Sequence, residues 1–234
     1  MERLCIDNRL AVVAKWVLPD EIMADIGTDH AYLPCWLVLN GRCPAAIASD
    51  VAEGPFLQAK RMVADFGLTD RISLRRGSGL SVLKPSEAAT VVLAGMGGQL
   101  ICELLDMDRE TAASSQRLIL QPQRRPESVR EWLMRNGWRI VADDVALDGK
   151  MWYNIIVAEQ GTMELDEAGL LYGIKTPDVS SDLRRDWLTY RRKCLVEIAG
   201  QLRGYCGKTA AERLTEIEKE VAELDSLINE VETC

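Results

Sequence analysis

The stretch Met-Ala-Asp-Ile-Gly-Thr-Asp-His-Ala-Tyr-Leu-Pro, residues 23–34, constrains this chain more than any other. The run from Glu21 to Ile26 reads as a buried strand carrying an acid near its end. A glycine turn follows, and then a helix from about Ala31. In an open α/β sheet, ligands bind in the crevice at the carboxyl ends of the strands. Gly27 lets the backbone pass close to such a ligand with no side chain in the way. Asp25 and Asp29 place two carboxylates at the mouth, which would repel a pyrophosphate. The expected ligand therefore carries positive charge or hydroxyls. Read alone, the same residues also suit a plain strand-to-helix turn with Asp29 as a helix cap.

The next elements decide between these readings. Ala45–Ser49 reads as a second strand ending at Asp50. A carboxylate at that position can accept two hydroxyl hydrogen bonds from a ribose. A helix from Pro55 to about Phe66 follows, with Pro55 in its first turn and Gly67 as its stop. The third strand, Ile72–Arg75, runs into Gly77-Ser78-Gly79, a tight loop suited to an adenine edge or to a simple turn. The fourth, Thr90–Ala94, runs into Gly95-Met96-Gly97-Gly98 and a helix to about Leu105. That backbone is bare enough for a flat group to approach, and Met96 offers it a soft apolar contact. A cation, a ribose and an adenine together describe S-adenosylmethionine. A nicotinamide dehydrogenase would share the acid-to-ribose logic. It would also need a spaced Gly-x-Gly-x-x-Gly, which is absent, and Asp29 stands where its phosphates would lie.

Asp7 caps a predicted helix over residues 7–18 that leads straight into the first strand. Arg9 near its start is placed to pair with the carboxylate of an amino-acid moiety, or else is a surface charge. The fifth strand, Arg117–Leu120, ends in Gln121-Pro122-Gln123. Those amides suit a base edge or a cap for the next helix, Pro126–Asn136. An Asn/Asp-Pro-Pro-aromatic tetrad, which would hold an exocyclic amine, is missing after the fourth strand; a ring nitrogen needs less help. Trp138–Leu147 and Trp152–Glu159 form a hairpin about Asp148-Gly149.

Gly161 marks the expected boundary between a domain of residues 1–160 and a helical one of residues 161–234. Beyond a short helix at Glu167–Tyr172, two long helices are expected, about Leu183–Tyr205 and Ala210–Val231. The first carries a Leu188, Leu195, Ile198 and Leu202 stripe. The second carries a heptad seam of Leu214, Ile217, Val221, Leu224, Ile228 and Val231. A short linker, Gly204–Lys208, makes an antiparallel hairpin the simplest arrangement. It would serve as a lever on a large substrate, or for dimerisation; monomer and homodimer both remain open. The fold class is thus α/β, a parallel sheet with one antiparallel strand plus a C-terminal helical coiled-coil hairpin.

The net charge is −8, but residues 209–234 hold eight acids against Arg213 and Lys219. The rest of the chain is nearly neutral and carries arginine clusters, among them Arg124/Arg125/Arg130 and Arg184/Arg185/Arg191/Arg192. Such patches can bind phosphates despite an acidic total, though each also suits a solvated helix face. The seven scattered cysteines lack a Cys-x-x-Cys. They are expected as free thiols in a cytoplasmic protein, with no metal site. No signal peptide and no membrane span are expected. His30 is the single histidine, with no nucleophile elbow beside it, which argues against hydrolase chemistry.

Four segments together resemble one bacterial family: Asp-Ile-Gly-Thr-Asp-His-Ala-Tyr-Leu-Pro at 25–34, Gly-Pro-Phe-Leu-Gln-Ala-Lys at 54–60, Ala-Gly-Met-Gly-Gly at 94–98 and Leu-Ile-Leu-Gln-Pro at 118–122. It is the tRNA (adenine(22)-N(1))-methyltransferase family, a class I enzyme with a Rossmann-like sheet and a C-terminal coiled coil. The resemblance implies methylation of N1 of an adenine in the D-arm region of tRNA, with S-adenosylmethionine as cofactor. It implies cofactor contacts from Arg9, Asp25, Gly27, His30, Asp50 and the turn of Ala94, Gly95, Met96 and Gly97. Thr28, Val51, Gly77, Ser78 and Gly79 complete the expected cofactor set. Asp29, Tyr32 and Met96 are expected to position the reacting base, and Gln121, Gln123, Arg124 and Arg125 to hold the tRNA. Two positions depart from the family: Ser78 replaces its usual acid, and Gln123 its usual asparagine.

Overall fold

A computed structural model describes residues 4–204 and 207–232. It divides into two compact units, residues 1–177 and 178–234.

The first unit is built on a seven-stranded sheet in the order β3-β2-β1-β4-β5-β7-β6. Its strands are β1 (Met23–Ile26), β2 (Ala46–Asp50), β3 (Ile72–Arg76), β4 (Thr90–Gly97), β5 (Arg117–Arg124), β6 (Trp138–Asp148) and β7 (Met151–Gln160). The first five run parallel, and β7 inserts antiparallel between β5 and β6. Every residue of β1 is buried. A central strand covered on both faces tolerates an acid such as Asp25 only near its end, where the sheet opens. The helices of this unit are α1 (Asn8–Trp16), α2 (Tyr32–Leu39), α3 (Glu53–Asp65), α4 (Gly98–Met107), α5 (Arg109–Ser114), α6 (Pro126–Arg135) and α7 (Glu167–Tyr172). Asp7 caps α1 as expected, its Oδ1 accepting from the Leu10 amide at 2.7 Å. The hairpin turn lies where Asp148-Gly149 placed it, with Asp148 opposite Met151 and Gly149 at φ +59°. Strands β4 and β5 each run several residues past their expected ends, so the glycine turn and the Gln-Pro-Gln segment lie on strand ends.

The boundary expected at Gly161 falls instead after Pro177. Residues 161–177 belong with the sheet because a buried ion pair reaches out to them. Arg130 of α6 and Asp143 of β6 are 0% and 1% exposed and pair at 2.8 Å. Arg130 Nη1 also donates to the Leu170 carbonyl at 3.0 Å, and Asp143 Oδ2 accepts from the Ile174 amide at 3.1 Å.

The second unit consists of α8 (Ser181–Leu202) and α9 (Lys208–Glu232). Ser180 caps α8, its Oγ accepting from the Leu183 amide. The pairs Arg192–Asp225 and Arg203–Glu218 fix the two helices as antiparallel. Ile217 and Leu224 of the heptad seam are fully buried. On α8 the buried stripe is Leu188, Leu195 and Ala199, while Ile198 is 45% exposed. The stripe follows the small alanine rather than the larger isoleucine. Residues 205 and 206 of the expected linker lie outside the described residues. Among the described residues, no helix is long and apolar enough to cross a membrane, and no cluster of ligating side chains could hold a metal ion.

Candidate active site

The chain leaves β1 toward β2 and leaves β4 toward β5, so the sheet order reverses between β1 and β4. A crevice opens at such a switch point because the flanking connections diverge. Here it is a cleft of about 370 Å³. From the β1 side it is lined by Asp25, Gly27, Thr28, Asp29, His30 and Tyr32, and from β4 and β5 by Ala94, Gly95 and Gln123. Arg9 closes it from α1. Asp7, Leu10 and Leu33 line it too and were not anticipated; the sequence offered Asp7 only as a helix cap.

The β1–α2 turn is held in an uncommon shape. Ala31 adopts a left-handed conformation at φ +56° while fully buried. Strain of this kind persists only where surroundings fix it, and it clusters at binding sites. Thr28 supplies the fixing: its Oγ1 accepts from the Ala31 amide at 3.1 Å. Its hydroxyl hydrogen is then free to donate to Asp25. Burial is the largest influence on that carboxyl and drives it up to about 6, against smaller opposing effects of Thr28 and Arg9. The cleft therefore holds an acid whose charge the protein itself leaves undercompensated. Asp29 is largely exposed at the rim, and His30 Nε2 lies 3.3 Å from its Oδ2. The His30 and Tyr32 rings sit 5.4 Å apart.

Across the cleft, the ladder between β4 and β5 breaks. Ala94 pairs with Gln121 and Met96 with Pro122, so Gly95 bulges out without a cross-strand partner. Bulges of this kind re-aim backbone beside functional sites. Gly95 sits at φ +78°, and the tip of Met96 lies directly over Gly27, in the space a side chain there would need. Gln121, expected to read a substrate edge, is instead fully buried. Its Oε1 accepts from the Gly95 amide at 3.0 Å and from Arg9 Nη1 at 3.1 Å. Gln123, two residues on, does reach the cleft.

The remaining expected residues sit near the cleft rather than on it. Asp50 ends β2, where its Oδ1 accepts from the Ala52 amide at 2.7 Å. The Gly77 amide donates to the Asp50 carbonyl, tying the Gly77-Ser78-Gly79 turn to that strand end. Val51 is 64% exposed. Arg124 and Arg125 are exposed at the end of β5, with Arg125 left-handed at φ +56°. Gly97 and Gly98 have different tasks. A Cβ at Gly98 would lie 2.3 Å from the Arg125 carbonyl oxygen and 2.9 Å from that of Arg124, whereas one at Gly97 would meet nothing within 4 Å. Backbone cannot swing aside as a side-chain tip can. Gly98→Ala is therefore expected to cost about 1–3 kcal/mol. The melting temperature should drop by roughly 2–4 °C for each of these. Gly97→Ala, followed in the same thermal scans, should change stability by less than about 0.5 kcal/mol.

The strand order reversing between β1 and β4, antiparallel β7 set between β5 and β6, the acid near the end of β1 and the bulged glycine turn at the end of β4 together make the fold of a class I methyltransferase. A methyltransferase-domain family matches residues 6–156. The tRNA (adenine(22)-N(1))-methyltransferase of Bacillus subtilis is 43% identical over 172 residues, covering 73% of this chain and 71% of that protein. The solved structure of the B. subtilis tRNA methyltransferase TrmK superposes with a TM-score of 0.80 at 32% identity, over 96% of this chain and 99% of that one. Streptococcus pneumoniae Sp1610 in complex with S-adenosyl-L-methionine superposes with a TM-score of 0.81 at 31% identity, over 96% and 100%. This chain belongs to the tRNA (adenine(22)-N(1))-methyltransferase family.

Proposed function

We propose that this enzyme methylates N1 of adenine 22 in tRNA, as the activity of its 43% identical B. subtilis relative is named, with S-adenosylmethionine as cofactor. The observation that carries the reading is the switch-point cleft, with a buried acid on one wall and a bulged, bare backbone on the other. The cofactor fits what that cleft lacks. Asp25 is a buried carboxylate whose charge Arg9 and Thr28 only partly offset, and an ammonium group satisfies it. Arg9, the one guanidinium among the described residues lining the cleft, suits the amino-acid carboxylate of the same molecule. Asp50 takes the ribose hydroxyls. Thr28, His30, Val51, the 77–79 turn and residues 94–97 make the surrounding contacts. Gly77 and Gly79 supply backbone alone, and Ser78 a hydroxyl where the family usually has an acid.

When bound, S-adenosylmethionine supplies a methyl group already activated on a sulfonium. Adenine N1 has an in-plane lone pair, so the protein needs no strong base; its task is placement. Tyr32, 39% exposed beside His30, offers a ring for the incoming base, and Met96 a soft floor. Asp29 at the rim stabilises the positive charge that develops on the methylated base. N1 lies on the pairing edge, so the base must leave its stack to enter. Gln123 faces it from the cleft wall, and Arg124 and Arg125 take phosphates outside. The helical unit holds the body of the tRNA. An enzyme with this substrate works in the cytoplasm.

Methyl-tritiated S-adenosylmethionine and an unmodified tRNA transcript test the reading. Label should enter the transcript, and a transcript with guanine at position 22 should take none. Equal labelling of both, or of neither by folded protein, rejects it.

A further inference from the structure

We infer that Gln121 is a positioning residue that locks the cofactor clamp on Arg9 to the bulged backbone at Gly95. The inference rests on the function proposed above. It starts from the break in the ladder: Gly95 is skipped between Ala94, opposite Gln121, and Met96, opposite Pro122. An amide displaced from a ladder needs another acceptor. The Gly95 amide finds it in the Gln121 side chain, at 3.0 Å. Pro122, the next residue of β5, has no N–H to donate.

The same oxygen accepts from Arg9 Nη1 at 3.1 Å, joining segments 112 residues apart. Two donors on one oxygen settle which way the amide points. Flipped, its NH2 would face two N–H groups. The Nε2 end is therefore forced the other way, where it is buried with no hydrogen-bond partner among the described residues. A buried donor left unmade calls for a reason, and the demand on the oxygen supplies one. Among the described residues Arg9 otherwise has Asp7 at 3.6 Å, the Tyr153 ring at 5.8 Å and the more distant charge of Asp25, contacts too loose to fix a guanidinium. Removing the oxygen frees Arg9 and strips the Gly95 amide of its acceptor. Both walls of the cleft then loosen, Arg9 toward the cofactor and Gly95 toward cofactor and base alike.

Steady-state kinetics distinguish this from a role in stability alone. Gln121→Leu should raise the KM for S-adenosylmethionine about tenfold and lower kcat to a similar degree, leaving the KM for tRNA unchanged. Gln121→Glu keeps the acceptor and should stay within about threefold of the parent. In an Arg9→Ala background, Gln121→Leu should raise the cofactor KM by clearly less than it does in the parent, yet still lower kcat. If Gln121→Leu does not fold, Gln121→Asn, which draws the oxygen back by one methylene, should give the same pattern. Parental constants in Gln121→Leu or Gln121→Asn would overturn the inference, as would an equal rise in cofactor KM with and without Arg9. A parent enzyme that methylates no tRNA would reject the functional reading itself; an active parent with indifferent Gln121 variants rejects only this inference.

Discussion

Asp25→Asn should make the protein more stable and a far poorer enzyme. Burial raises the Asp25 carboxyl to about 6. Between the ordinary aspartate range near 4 and about 6, the unfolded chain has released this proton while the folded chain keeps it. Stability contributed at this site is thus highest at low pH, falls as pH rises through that window, and stays lost above it. The neutral amide removes the penalty, so the melting temperature at pH 7.5 should rise. Binding runs the other way. A cationic ligand needs the carboxylate, and truncating one partner of a buried charge pair costs about 2–5 kcal/mol. The KM for S-adenosylmethionine should rise at least about thirtyfold. In the parent enzyme that KM should climb below pH 6, approaching about tenfold per pH unit, and the climb should vanish in Asp25→Asn. Opposite signs for stability and affinity are what a binding acid gives. A destabilised variant with parental KM would make Asp25 a structural residue.

The second large effect lies away from the cleft. Arg130 Nε and Nη2 each donate to Asp143 at 2.8 Å, and Nη2 also meets Asn154 at 3.1 Å. Gly173 has no room for a side chain: a Cβ would lie 2.4 Å from Asp143 Oδ2. Asp143→Ala leaves the guanidinium buried and unopposed, a change that costs about 3–5 kcal/mol. At roughly 2–4 °C per kcal/mol, the melting temperature should fall by about 6–20 °C. Residues 161–177 lose the acceptor that holds the Ile174 amide, so limited proteolysis should cut there first. The double variant Arg130→Met/Asp143→Leu removes both charges and should recover much of the loss. If the single and double variants melt alike, the pair is not what ties this segment to the sheet.

The sequence exposes the local half of the site and hides the cooperative half. Asp25, Gly27 and Gly95, which the structure brings to the cleft, are legible because each lies at or beside a strand end, and strand ends carry local signals: an apolar run, then an acid or glycine. The hairpin is legible for the same reason, through Asp148-Gly149. Gln121 is not. Its burial follows from a bulge that exists only when β4 pairs with β5, and from an arginine on α1. A polar residue between a strand and a proline otherwise reads as surface. Gly161 looks like a boundary because the residues after it are polar and weakly periodic. Their attachment depends on Arg130 and Asp143, charged residues that composition places outside a core. The same limit explains Ile198: hydrophobicity named it, while the packed helix pair selected Ala199.

The most direct test of the central claim is a calorimetric titration of the parent protein, at pH 7.5, with S-adenosylmethionine and separately with NAD. The cleft described above should give a saturable one-site heat with the first and none with the second. Heat with NAD, and none with S-adenosylmethionine on folded protein, would contradict it.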